Sequence, residues 1–284
     1  MRLALGATQF GMKYGLFNKK KINKKDYKKI EKLTLDSSIN FIDTATAYGN
    51  SEKIIGNSSL KKLKIITKIN ISTTNKNNIK NSINKTVLKL LNSLNTKKIY
   101  GLLVHNSKDL LGEKGKIFLS CLQELKKKKI VKKIGISIYS PKELDLIWKF
   151  WKPDLVQAPF NLFDQRILNS GWVDILKKNK IKIFARSCFL QGLLIGDYGS
   201  LKISKKLLFQ LKKFDDWCEL NKISRLKACL DFIKQFKKID CIIVGFNNVK
   251  QLDEILVNFK KKTQKIPKKF VVNNLNFIDP RRWK

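Results

Sequence analysis

The stretch NFIDTATAYGNSE, residues 40–52, runs an apolar pair, Phe41-Ile42, straight into Asp43. Tyr48 follows five residues later, ahead of a Gly-Asn-Ser-Glu turn. An acid closing an apolar run and a tyrosine in the loop behind it are unusual for a plain turn. Two similar endings follow. Lys68 closes KIITK (64–68), and His105, the only histidine of the chain, closes YGLLVH (100–105). Carboxylate, phenol, ammonium and imidazole are the groups proteins use to hold and move protons. Taken singly, each has an ordinary explanation: a structural ion pair, a loop aromatic, a satisfied core or surface histidine. Four of them at linked positions in order, three closing successive apolar runs and Tyr48 in the loop behind the first, point to chemistry. No cluster of His, Cys, Asp and Glu has metal-ligand spacing, so no metal is expected.

Such groups act only if backbone elements bring them together. Eight apolar runs have strand length: 2–6, 40–44, 64–68, 100–105, 132–137, 154–158, 182–187 and 240–245. Helical patterns lie between them, at 26–37, 51–58, 77–94, 115–128, 141–150, 168–179, 205–221, 224–236 and 248–260. Ser140-Pro141, Ser224 and Asn248 supply helix starts. Strands alternating with helices imply βαβ units and a parallel sheet, and runs apolar on both faces suit strands covered by helices. Eight such units in 284 residues fit one (β/α)8 TIM barrel, a single domain spanning 1–284 with residues 262–284 as a C-terminal tail near the mouth. A doubly wound open sheet is the alternative. It would normally announce itself by GxGxxG after the first strand, and GATQFGMKYG lacks that spacing. In a barrel the C-terminal strand ends share one rim, so Asp43, Lys68 and His105, with Tyr48 in the loop after the second strand, converge there.

Composition narrows the classes. Hydrophobic residues are 43% of the chain, enough for a sizeable core. No stretch has the roughly 20 apolar residues needed to span a bilayer, and the N-terminus reads as no signal peptide. Five cysteines, odd in number and without a CxxC pair, are expected to be reduced thiols, which makes the expected location cytoplasmic. The net charge of +38 raises nucleic acid as a partner. The excess is nearly all lysine, spread along the chain with only six arginines, which favours solvated helix faces over a specific nucleic-acid site. The field still attracts anionic ligands.

In NFIDTATAYGNSE, IITK and LLVHN, in that order, the chain resembles the aldo-keto reductases. GATQFG near the N-terminus, GIS (135–137), VQAPFN (156–161), RSCFLQGLL (186–194) and VGFNNVKQLDE (244–254) extend the resemblance over nearly the whole chain. The resemblance implies NAD(P)H-dependent reduction of an aldehyde or ketone to an alcohol by a tetrad of Asp43, Tyr48, Lys68 and His105. Tyr48 would give the proton. A free phenol has a pKa of about 10, and a buried cation beside a phenol favours the phenolate. Lys68 would be that cation, held by Asp43, and His105 would orient the carbonyl and help polarise or protonate its oxygen.

The same resemblance implies a nicotinamide dinucleotide across the barrel mouth, NADP (NADPH) by family habit, with NAD also able to serve. Ser137 and Gln157 match positions that bind the carboxamide, and Thr44 lies near the ring by position. Ser187, Gly192, Leu193 and Leu194 after strand seven would serve the phosphates, as would Gly245 to Gln251, Asn247 included, after strand eight. Three positions depart from the family pattern. Ile138 stands where Asn is frequent. Arg186 occupies the slot of an aromatic that stacks on the nicotinamide, so it either sets positive charge beside that ring or points to an acidic substrate. Asn247 falls where an arginine commonly grips the 2′-phosphate, and Lys250 is the nearby substitute. Phe17, Trp172, Phe189 and the tail are candidates for the pocket wall. The partner is a small-molecule carbonyl compound, with a sugar or an anionic carbonyl allowed. A cofactor-binding regulatory barrel with little turnover is the alternative function.

Overall fold

A computed structural model describes residues 1–17, 20–71 and 78–283. Eight parallel strands close into a barrel in sequence order: β1 (Arg2–Gly6), β2 (Phe41–Asp43), β3 (Lys64–Ile69), β4 (Ile99–Val104), β5 (Val131–Ser137), β6 (Leu155–Pro159), β7 (Lys182–Arg186) and β8 (Cys241–Val244). β8 pairs with β1 to complete the ring. All eight apolar runs are therefore strands, and the open-sheet alternative is excluded.

The strand period of two decides what the barrel does. Ala4, Phe41, Ile66, Leu103, Leu155, Phe184, Cys241 and Ile243 form a small cluster of their own, separate from the large core between strands and helices. It is the barrel interior, where Phe41 packs edge-on against Tyr100 and Phe184 at ring separations of 5.1 and 5.2 Å. Two residues further along each strand, on the same face, stand Gly6, Asp43, Lys68, His105, Gln157, Arg186 and Gly245. Gly135, whose missing side chain accommodates Leu155 O and Leu103, brings Ser137 into the same layer on β5. An apolar plug thus sits directly beneath a polar ring.

The helices follow the expected order. Ser224 and Asn248 cap theirs, accepting from Lys227 N at 3.2 Å and Gln251 N at 2.9 Å. The start at Ser140-Pro141 uses Glu143 as well, whose carboxylate accepts from Ser140 N and Tyr139 N. The segment expected as one helix at 168–179 is two, Arg166–Asn169 and Trp172–Lys178, because Gly171 adopts φ +78° between them. The start of the helix expected at 77 lies partly outside the described residues, and the described helix is Ile79–Ser93.

The tail packs on the barrel through buried Ile266, Phe270, Val272 and Ile278, with Val272 N donating to Phe163 O at 2.9 Å. No described residue beyond Ile255 borders the cavity at the mouth, so the described tail forms a layer behind the pocket wall. All five cysteines are free and buried.

Candidate active site

The loop carrying Tyr48 is fixed by the residues around it. Thr46 N and Thr46 Oγ1 both donate to Lys68 O at 3.1 Å. Ser51 Oγ donates to Ala7 O at 2.8 Å and accepts from Thr44 Oγ1. Glu52 accepts from Thr67 Oγ1 at 2.7 Å. Gly49, at φ +59°, presses against Gly11, where an added Cβ would fall 1.6 Å from Tyr48 O. The Gly-Asn-Ser-Glu turn therefore locks Tyr48 between β1 and β3.

Lys68 is 1% exposed and spends its three protons inside the protein. Asp43 Oδ1 and Oδ2 accept at 2.9 and 2.7 Å, and Thr44 O accepts at 2.9 Å. Gln157 Nε2 adds a 2.7 Å bond to Asp43 Oδ1. The ammonium lies 5.1 Å from the centroid of the Tyr48 ring, so it acts on the phenol through its field. Burial opposes the charge on Lys68, yet Asp43 and Tyr48 together lift its pKa above the ordinary lysine value. The His105 ring stands edge-on to Tyr48 at 6.0 Å. Burial first, then the positive fields of Lys68 and Arg186, push the His105 imidazole down to about 4. It is neutral near pH 7.

These groups open onto a cavity of about 390 Å³ at the C-terminal strand ends. Asp43, Tyr48 and His105 border it, while Lys68 is sealed below. Ser137, Gln157, Arg186, Ser187, Gly192, Gly245, Asn247 and Gln251 border it too. Thr44, Leu193 and Leu194 do not. Thr44 turns its hydroxyl to Ser51, and Leu194 is buried with its N–H on Phe189 O. Phe17 and Phe189 line the wall, whereas Trp172 packs against Trp148 and donates to Asp145, away from the mouth.

Several lining residues escaped the sequence reading. Gly6 was legible by strand parity on β1. Tyr14 and Gln191 come from irregular loops with no periodicity to mark them, and Leu16 N on Gln191 O at 3.1 Å ties those loops together. The loop after β7 carries Ser187, Leu190 and Gln191 at φ +58°, +47° and +55°, three non-glycine residues in the left-handed region. Such backbone is retained where surrounding structure over-determines it, and here it borders the cavity.

The cavity is built for a polar ligand. Four of the seven buried side-chain polar atoms without a partner among the described residues belong to residues that border it: His105 Nδ1, Gln157 Oε1, Arg186 Nε and Asn247 Oδ1. Because Gln157 gives Nε2 to Asp43, its free Oε1 is an acceptor beside the Ser137 hydroxyl position on the neighbouring strand. A donor–acceptor group such as a carboxamide fits that pair. Beyond β8, the helix Val249–Lys260 starts beside the cavity, and unpaired amides at a helix start suit phosphate.

The model of the aldo/keto reductase family matches residues 2–269. Among solved structures, the aldo-keto reductase AKR11C1 from Bacillus halodurans in its holo form superimposes with a TM-score of 0.72 at 16% identity, covering 93% of this chain and 88% of that one. The glycerol dehydrogenase AKR11B4 from Gluconobacter oxydans gives 0.72 at 19% identity, covering 98% and 92%. At such identities the likeness establishes the fold. A search of curated proteins finds none that matches.

Proposed function

The chain belongs to the aldo/keto reductase family and is an NAD(P)-dependent oxidoreductase, and from that premise we propose that it reduces an aldehyde or ketone to an alcohol at the ring of Asp43, Tyr48, Lys68 and His105. The cofactor supplies the hydride to the carbonyl carbon. The carbonyl oxygen gains a proton from this chain. Tyr48 is that donor: its ring lies over the buried Lys68 ammonium, which stabilises the phenolate left behind. His105 is a poor acid near pH 7, because its imidazole is already deprotonated there. Its role is to orient the carbonyl and polarise it by hydrogen bonding. Asp43 keeps Lys68 charged and fixed, and Gln157 keeps Asp43 fixed.

The observation that carries this reading is the buried Lys68–Asp43 pair, 2.7 Å long, directly under a tyrosine that borders a cavity. Ser137 and Gln157 are assigned to the carboxamide, and Ser187, Gly192, Gly245, Asn247 and Gln251 to the phosphate arm. NADP is the assigned cofactor, on the strength of the positive field and of Lys250 near Asn247. The test is a panel of aldehydes and ketones mixed with the protein and NADPH or NADH, followed by absorbance of the reduced cofactor. Oxidation with at least one carbonyl, faster with NADPH, is expected. Tight cofactor binding with no turnover on any carbonyl would contradict the proposal.

A further inference from the structure

Three of the six arginines are half-buried: Arg166, Arg186 and Arg225. Arg166 lies 2.6 Å from Asp164 and Arg225 3.5 Å from Asp215. Arg186 has no carboxylate within ion-pair distance among the described residues. In a chain of net charge +38, unpaired cations on the surface are expected. An unpaired one in the cavity that holds Tyr48 and His105 is not, because a poorly solvated charge without a counter-charge is costly. The acids bordering the cavity are Asp43 and Glu254, and Asp43 is committed to Lys68 and Gln157.

The guanidinium is also held in place. Nη2 donates to Ile138 O at 2.8 Å and Nη1 to Ser187 Oγ at 3.2 Å. Its central carbon lies 4.2 Å from the Tyr139 ring centroid, and that of Arg281 lies 3.9 Å from the same centroid. Two planar groups so close to one centroid cannot share a face, so Tyr139 is sandwiched between them. Arg281 is anchored in turn by Asp279. Of five N–H donors, Arg186 uses two. Nε is enclosed without an acceptor. A planar fork with free donors is complementary to a carboxylate. Its field reaches the reacting end of the cavity, since it acts on both His105 and Tyr14.

We propose that Arg186 receives the carboxylate of an acidic carbonyl substrate, with Tyr139 and the tail residue Arg281 as positioning residues that hold the guanidinium at the wall. This rests on the reading of the site as one that reduces carbonyls. It gives the tail a function one layer behind the cavity.

The test uses oxamate and its neutral counterpart oxamide as probes, titrated calorimetrically into the full-length protein with and without NADPH. Oxamate is expected to bind about tenfold or more tightly than oxamide, the scale of a charge-assisted hydrogen bond. Arg186→Met brings the ratio near one, Arg186→Lys leaves part of it, and Arg281→Ala, remote from the cavity, lowers it without changing oxamide binding. Thermal melts confirm which variants fold, and Arg281→Ala alone decides the positioning claim if Arg186→Met does not. A wild-type ratio near one, or a ratio that survives in Arg186→Met, overturns the proposal. Loss of NADPH affinity with the ratio intact would assign Arg186 to a cofactor phosphate, and a gain in NADP⁺ over NADPH affinity with the ratio intact would set it against the nicotinamide. Both overturn the proposal. The ratio requires no turnover, so it is read independently of whether carbonyls are reduced. Turnover of neutral aldehydes with a ratio near one would sink this inference and leave the reductase reading standing.

Discussion

At the scale of residues, the central object is an ion pair that cannot be dismantled one half at a time. Asp43→Asn leaves the Lys68 ammonium buried among neutral groups, a loss of about 3–5 kcal/mol for breaking one side of a buried pair. Combining it with Lys68→Met removes the stranded charge. Urea unfolding should therefore show the double variant clearly more stable than Asp43→Asn, while both are inactive. His105 makes a second prediction. Its folded pKa of about 4 lies below the ordinary histidine value near 6.5, so the folded state resists its protonation. The stability tied to neutral His105 is present above pH 6.5 and is lost as the pH falls through about 4. His105→Asn should lose less stability than wild type over that window, measured by denaturant titrations at a series of pH values. The four candidate groups were legible because three of them close apolar runs, the fourth follows in the loop behind the first, and they recur in order. Arg186's neighbours were not. Nothing in the sequence says that Arg186 and Arg281, far apart in the chain, enclose the ring of Tyr139.

At the scale of elements, strand parity explains most of the site. One face of each strand puts an apolar residue into the barrel and, two positions later, a polar residue or glycine at the mouth. This is why eight apolar runs sufficed to place Asp43, Lys68, His105, Ser137, Gln157, Arg186 and Gly245 together. Loops obey no such period. Tyr14 and Gln191 therefore escaped notice, Trp172, a candidate for the pocket wall, packs on Trp148 instead, and the break at Gly171 went unseen. The short helix Ser51–Gly56 carries a prediction of its own. Burial raises the Glu52 carboxyl to about 7 against the hydrogen bond from Thr67, so the folded protein holds that proton more tightly than the unfolded chain does. Its contribution to stability is whole below about pH 4.5 and disappears as the pH climbs through about 7. Glu52→Gln should flatten the decline in melting temperature across that range, as followed by circular dichroism.

At the scale of the whole molecule, the barrel and the charge act together. The sheet closes in sequence order, so consecutive strands bring Asp43, Lys68 and His105 to neighbouring positions on one rim. The lysine excess gives the molecule a net charge of +38, a positive field that attracts anionic ligands. Stopped-flow binding of NADPH should show an association rate that falls by about tenfold between low and high salt, with a far smaller change in dissociation. The tail was expected at the pocket wall and stands behind it. Sequence suggests a tail near the mouth but does not say which layer it occupies, because wall and supporting layer are equally apolar.

The most direct measurement is single-turnover oxidation of bound NADPH by an accepted carbonyl, in wild type and in Tyr48→Phe, with cofactor affinity measured alongside. If the phenol over the Lys68 ammonium gives the proton, Tyr48→Phe binds cofactor as wild type does and loses turnover by about 100-fold or more. Turnover at the wild-type rate in Tyr48→Phe would contradict the account.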